Sequence, residues 1–142
     1  MLAKNSLGNS EPTEMLGIVP SNNDVNVLIV NGFDRVSGTN NTFDYIRQHG
    51  SAFNNHGQAF DAASNEAVVN QQIDILDYQF VDWILGEEGT STSVFSYSEQ
   101  NLITTYLESG RFLFISGSEI GYDLEDQGTI TDKDFYQNYL KA

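Results

Sequence analysis

Apolar and polar positions along this chain repeat with a period that switches between that of a strand and that of a helix. Val25-Asn26-Val27-Leu28-Ile29-Val30-Asn31-Gly32 is a β-branched run closed by Asn-Gly, which predicts a buried strand. From Phe43 the spacing turns helical: Phe43, Ile46, Ala52 and Phe53 fall on one side, with Thr42 as the expected N-cap and Gly57 as the stop. A short strand is expected around Ala59-Phe60-Asp61, followed by a short helix opened by Ser64-Asn65-Glu66. Tyr78 to Gly86 alternates and ends in glycine, the pattern of a strand. Ser96 or Ser98 caps the next helix, with Leu102, Ile103, Tyr106 and Leu107 as its buried stripe and Gly110 as its stop. Phe112 to Ile115 is a short apolar run that ends in small residues, which predicts a buried strand stopping at a tight turn. A polar segment, Tyr122 to Thr131, leads to a last amphipathic helix over Asp132 to Leu140, for which Asp132 is the expected N-cap.

Strands alternating with helices predict an α/β fold: a three-layer, mostly parallel sheet of about four or five strands in the order 2-1-3-4, with helices on both faces. Residues 1–23 are rich in Asn, Ser, Gly and Pro and read as a linker or extended lead-in, whose apolar island Met15 to Val19 suits an edge strand. Residues 24–142 then make a single domain, because 142 residues hold one core and not two comfortable ones.

Charge narrows the partners. Twenty acidic and six basic residues give a net charge of −14, which repels phosphate backbones and anionic lipid, so no nucleic acid is expected. The absence of cysteine removes disulfides and thiolate chemistry. No run reaches the ~18 apolar residues that a membrane span needs, and the N-terminus lacks an apolar core of signal-peptide length.

The candidate chemistry gathers at the carboxyl ends of the strands, where open α/β sheets bind ligands. Asn31, Gly32, Asp34 and Arg35 follow the first strand at the expected topological switch point, but without the G-x-G-x-x-G pattern of a nucleotide fold. Ser116 and Ser118 stand just past the last strand, where a strained elbow can expose a hydroxyl nucleophile. The letters Gly117-Ser118-Glu119-Ile120-Gly121 miss the G-x-S-x-G spacing, and small residues also suit a tight turn. Such a nucleophile needs a base. The two histidines, His49 and His56, lie on or beside the first helix and read as exposed helix-end residues. Asp82, Glu87 and Glu88, with Ser118 and Glu119, could run paired-carboxylate acid–base chemistry on a sugar or simply be solvated. Tyr122, with Tyr97, Tyr136 and Tyr139, offers an aromatic ring at the surface. Asp123, Glu125, Gln127, Thr131 and Asp134 fall at positions 1, 3, 5, 9 and 12 of a calcium-type loop with Gly128 at position 6, so calcium is the one cofactor the sequence suggests. The same letters also read as a polar connector ahead of the last helix.

The segments Val27 to Gly38, Tyr78 to Glu88 and Phe114 to Leu124 together resemble a domain of secreted Bacteroidetes proteins, the xanthan lyase-like and N-acetylmuramoyl-L-alanine amidase-like group. The resemblance covers about residues 25–142 and implies a domain excised from a longer protein. At the fold level it is similar to the flavodoxin-like, class I glutamine amidotransferase-like superfamily. That superfamily carries a nucleophilic Cys at the elbow and a later His and Glu; here Ser116-Gly117-Ser118 stands there, with no histidine after it. The resemblance implies an extracytoplasmic protein, with glycan, peptidoglycan or neighbouring domains of the parent as partners. The expected function is therefore a non-catalytic accessory or interaction module of an exported cell-envelope or polysaccharide-processing protein. The alternatives are a glycan- or peptidoglycan-acting hydrolase or lyase using Ser118 or Glu119 with the strand-end carboxylates, and a calcium-stabilised spacer.

Overall fold

The structure is a computed structural model that describes residues 4–5, 8–9, 15–22, 24–34, 36, 38–88 and 93–141. Four strands, β1 (Val27–Asn31), β2 (Asp61–Ser64), β3 (Phe80–Gly86) and β4 (Phe112–Gly117), form one sheet in the order β2-β1-β3-β4. Every pairing is parallel. The fold is thus α/β with an all-parallel sheet, in the strand order that the sequence predicts. Between the strands lie helices α1 (Tyr45–Asn55), α2 (Asn65–Val69) and α3 (Tyr97–Glu108), and α4 (Ile130–Phe135) follows β4. In the lead-in, Lys4–Asn5 pairs antiparallel with Gly8–Asn9, and Val19 makes a single antiparallel bridge to Phe60 beside β2.

The runs of the two central strands, β1 and β3, are almost continuously apolar because the sheet buries both of their faces. The edge strand β4, expected to be buried, instead leaves Phe112 and Phe114 exposed on one face. Alternate residues of a strand point to opposite faces, and here they feed two separate clusters. Leu28, Val30, Val81, Trp83 and Leu85 join Val68 of α2, Ile103 and Tyr106 of α3, and Phe135 of α4. Val27, Ile29 and Ile84 join Ile46 of α1, Phe33 and Phe60. Tyr106 is fully buried, and its hydroxyl donates to the carbonyls of Tyr78 and Phe112 (3.2 and 3.1 Å), so its polar end is satisfied within the core.

Helix ends follow capping chemistry, with some shifts from expectation. Ser96 caps α3 in a reciprocal box with Glu99, and Ser64 caps α2 by accepting from the Ala67 amide. The first helix begins after Asp44, whose side chain makes no capping hydrogen bond, and Thr42, the expected cap, accepts from the Asp44 amide in the turn before it (3.2 Å). The last helix begins at Ile130, capped by Thr129; Asp132 is the third helical residue and completes the box instead of starting the helix. It continues as a π-helical turn over Tyr136–Leu140, and a second π-helical turn occupies Tyr122–Asp126, where a polar connector was expected. The second strand begins at Asp61, two residues later than its expected start, with Phe60 held by the bridge to Val19.

Candidate functional site

The chain runs from β1 out to β2 and back across to β3, so the winding reverses between β1 and β3. Such a reversal leaves a crevice beyond the strand ends, because the two connections depart to different sides. A cavity of about 480 Å³ lies there, lined among others by Gly32, Asp34, Asn65, Glu66, Glu88 and Glu99. Each acid arrives by its own route. Asp34 follows β1, Glu66 is in the first turn of α2, Glu88 follows β3, and Glu99 is in the first turn of α3.

The acids hold one another unequally. Partial burial pushes the Asp34 carboxyl up to about 6, with further upward contributions from its hydrogen bond to Glu66 and from the charges of Glu66, Glu88 and Glu99. Glu66 moves the other way. Burial opposes its ionisation, but hydrogen bonds from the Ser64 hydroxyl, from its own backbone amide and from Asp34 outweigh this and lower it. The two neighbouring carboxyls are thus displaced in opposite directions, Asp34 upward and Glu66 downward. Glu99 is buried with its oxygens already directed: Oε2 accepts from the Ser96 amide (2.7 Å) and Oε1 from Asn65 Nδ2 (3.2 Å). The carbonyl oxygen of Asn65 lacks a hydrogen-bond partner.

Gly32 belongs in this wall for steric reasons. A Cβ there would collide with the indole nitrogen of Trp83 and meet the Ile84 carbonyl at 3.0 Å. Beneath it Asn31 is fully buried, its Nδ2 donating to the Phe33 carbonyl (3.0 Å).

Of the residues singled out from sequence, Gly32, Asp34 and Glu88 line the cavity, and Arg35 lies outside the described residues. Glu87 turns away and takes the backbone and side-chain N–H groups of Asn40 (2.9 and 3.0 Å), which fastens the loop before α1 to the end of β3. Ser116, Ser118, Glu119 and Tyr122 are at the end of β4, outside the cavity lining. Ser118 is exposed, and its amide donates to the Gly86 carbonyl (2.7 Å). Glu119 is exposed at φ 64°, in the left-handed turn that ends the strand. Tyr97 and Tyr122 are exposed, whereas Tyr136 and Tyr139 are half-buried against the core.

Two expectations change. His49 is not a free helix-end residue: its Nδ1 lies 2.7 Å from Asp82 Oδ2. Asp82 does not end its strand in solvent but is buried in the middle of β3. The acidic segment also folds differently from a calcium loop. Asp123 accepts from the Val94 amide, Glu125 from Gln137 and Asp134 from Asn138, while the Gln127 side chain donates to Asp126. Among the described residues no group of three or more metal-ligating side chains comes together, and no helix is long and apolar enough to cross a membrane.

Sequence reasoning missed Glu66, Glu99 and Asn65. The available signal was capping: Ser64-Asn65-Glu66 and Ser96 to Glu99 each place an acid in the first turn of a helix that follows a strand, hence at the ligand-binding rim. Comparison of the chain with protein-family models, curated proteins and solved structures finds no match.

Proposed function

We propose that this chain is a non-catalytic binding module, an accessory or interaction domain of an exported cell-envelope or polysaccharide-processing protein, and that the crevice between β1 and β3 is where it binds. The observation that carries this reading is the grouping of Asp34, Glu66, Glu88 and Glu99 around one cavity at the switch point. Ionised carboxylates only accept hydrogen bonds. Such a lining suits a ligand rich in hydroxyl or amine donors, the chemistry of a glycan or peptidoglycan fragment. Neither Ser116 nor Ser118 lines this cavity, and His49 on the first helix is engaged with Asp82 in mid-strand. Chemical-shift perturbation with glycan and peptidoglycan fragments tests the reading. Shifts confined to the amides of Gly32, Asp34, Asn65 and Glu88, abolished in Asp34→Asn/Glu66→Gln, are expected. Shifts elsewhere, or none with any fragment at millimolar concentration, would remove it.

A second reading rests on the same cavity, where carboxylates from four connections line one space at the strand ends. A hydrolase or lyase acting on the same fragments would use Asp34, whose ionisation burial opposes, as acid and Glu66 as base. Incubation with those fragments, followed by mass spectrometry, separates the two readings. Cleavage that Glu66→Gln abolishes without weakening binding favours the enzyme; intact fragments favour the binding module.

A further inference from the structure

Among the described residues β4 has a single neighbour in the sheet, β3, and its other edge carries no strand. The amides of Phe112 and Ser118 donate to the carbonyls of Gln79 and Gly86 (3.1 and 2.7 Å) on the β3 side. Backbone polar groups alternate in direction along a strand. Leu113, Ile115 and Gly117 therefore turn their N–H and C=O groups to the open edge. The strand reads Phe-Leu-Phe-Ile-Ser-Gly and has no Lys or Pro of the kind that guards an edge against pairing. Both of its faces are apolar. Phe112 and Phe114 are 63% and 52% exposed on one, while on the other Leu113 and Ile115 floor a groove of about 320 Å³ walled by Leu107, Ile120, Tyr139 and Leu140.

We propose that this edge is taken by a second copy of the same chain, whose β4 adds antiparallel across a two-fold axis to join the two four-stranded sheets into one. Antiparallel pairing sets outward-facing residues opposite outward-facing residues, which restricts where the axis can pass. With the axis at Ile115, each Ile115 faces its own copy and Leu113 faces Gly117. That register brings Arg111, just before β4, to the same end of the ladder as Glu119 in the turn just after the partner's β4, once at each end. Moving the axis one residue either way sets Arg111 against Gly117 or Gly121, with no charge to meet. Charge complementarity therefore selects both the occupant and the register. Arg111 directs Nη1 to Ser109 Oγ and Nη2 to the Leu76 carbonyl, and a guanidinium has five N–H donors in all. The same register makes the two Phe114 rings diagonal neighbours on one face, at the ~7 Å spacing that aromatic side chains bridge. The net charge of −14 opposes self-association at long range, and salt screens that repulsion.

Sedimentation velocity from about 5 to about 500 µM at moderate salt tests the proposal, over the range where an edge-to-edge interface of modest size would dissociate. The expected result is a concentration-dependent monomer–dimer equilibrium, with hydrogen exchange at Leu113, Ile115 and Gly117 slowing as the dimer forms. Glu119→Arg should weaken association at least about tenfold, and adding Arg111→Glu in the same chain should restore it to within about threefold. Ile115→Lys, which leaves that charge pair intact and places a cation on the axis, should keep the chain monomeric, with circular dichroism confirming that it folds. A wild-type chain monomeric at the highest concentration overturns the proposal, as does a dimer indifferent to Glu119→Arg and Ile115→Lys. Edge amides protected equally at every concentration overturn it too, since another part of the chain would then cover β4.

Discussion

His49 Nδ1 lies 2.7 Å from Asp82 Oδ2, and this one contact ties α1 to the middle of β3. The hydrogen bond to Asp82 raises the imidazole above its ordinary 6.5, against burial, which works to lower it. The folded chain thus binds this proton more tightly than the unfolded chain. The resulting stabilisation is complete below pH ~6.5 and is lost as pH rises through the folded value. Urea midpoints should fall between pH ~6 and ~9 in the wild type, and Asp82→Asn should flatten that fall. His49→Ala should cost about 3 kcal/mol, more than Asp82→Asn, because it strands a buried carboxylate. The other oxygen of that carboxylate, Oδ1, has no partner. Replacing Asp82 by Leu in the His49→Ala background should recover part of the loss. A double variant less stable than His49→Ala would show that the stranded charge is not the cause.

Asp34 and Glu66 give a pH dependence in a lower window. The Asp34 carboxyl is pushed up from 3.8 to about 6, first by partial burial. Its folded form keeps a proton that the unfolded chain has released, so it contributes a stability that declines as pH rises from about 4 to about 6. Asp34→Asn should remove this decline and raise stability above pH 6 by on the order of 1 kcal/mol, a small figure because the side chain is only partly buried and solvent screens its open side. Carboxyl-carbon NMR should find a midpoint near 6 for Asp34 in the wild type, moving down in Glu66→Gln. A wild-type midpoint at the ordinary carboxylate value would dissolve the pair.

These two pairs show what the sequence could and could not reveal. The central strands were legible because a parallel sheet buries both of their faces, and Val27 to Val30 supplies the apolar run directly. Phe112 to Ile115 gave its strand by the same apolar run but not its burial, since it lies at the sheet edge with Phe112 and Phe114 exposed. Their order followed from strands alternating with helices. The His49–Asp82 contact joins residues 33 positions apart on different elements, and no local period encodes such a meeting. The cavity acids likewise come from four separate connections, so only Asp34 and Glu88, adjacent to recognisable strand ends, could be placed at the rim in advance. The calcium-type spacing from Asp123 to Asp134 gave no sign of the local structure: Thr129 and Asp132 form a capping box that starts a helix within that segment.

Glu99 serves two purposes, and they can be separated. It closes the capping box of α3 and adds negative charge beside Asp34. Ser96→Ala should cost about 1 kcal/mol, the usual penalty for losing an N-cap oxygen, without moving the Asp34 midpoint. Glu99→Gln retains a side-chain oxygen for the box but removes the charge. It should lower the Asp34 midpoint while changing stability less than Ser96→Ala does. Thermal melts and the same NMR titration read the two effects independently. Equal shifts of the midpoint in both variants would mean that helix position, not charge, tunes Asp34.

Gly50 tests packing against propensity inside α1. Replacing a mid-helix glycine by alanine ordinarily stabilises a helix by about 1 kcal/mol. At this position the added methyl would lie 2.9 Å from Phe60 Cε1 and closer still to Cζ. Phe60 has little room to yield, since it is 5% exposed and its ring sits 6.5 Å from that of Phe53, which in turn meets Phe80 edge-on. Overpacking of this kind costs about 1–3 kcal/mol, so the sign should reverse and Gly50→Ala should lower the melting temperature. Phe60→Leu alone should also destabilise, by opening a void. Combined, the two should be less harmful than their sum, because the methyl enters space that the missing ring leaves. Additive losses in the double-mutant cycle would place the strain elsewhere than between α1 and Phe60.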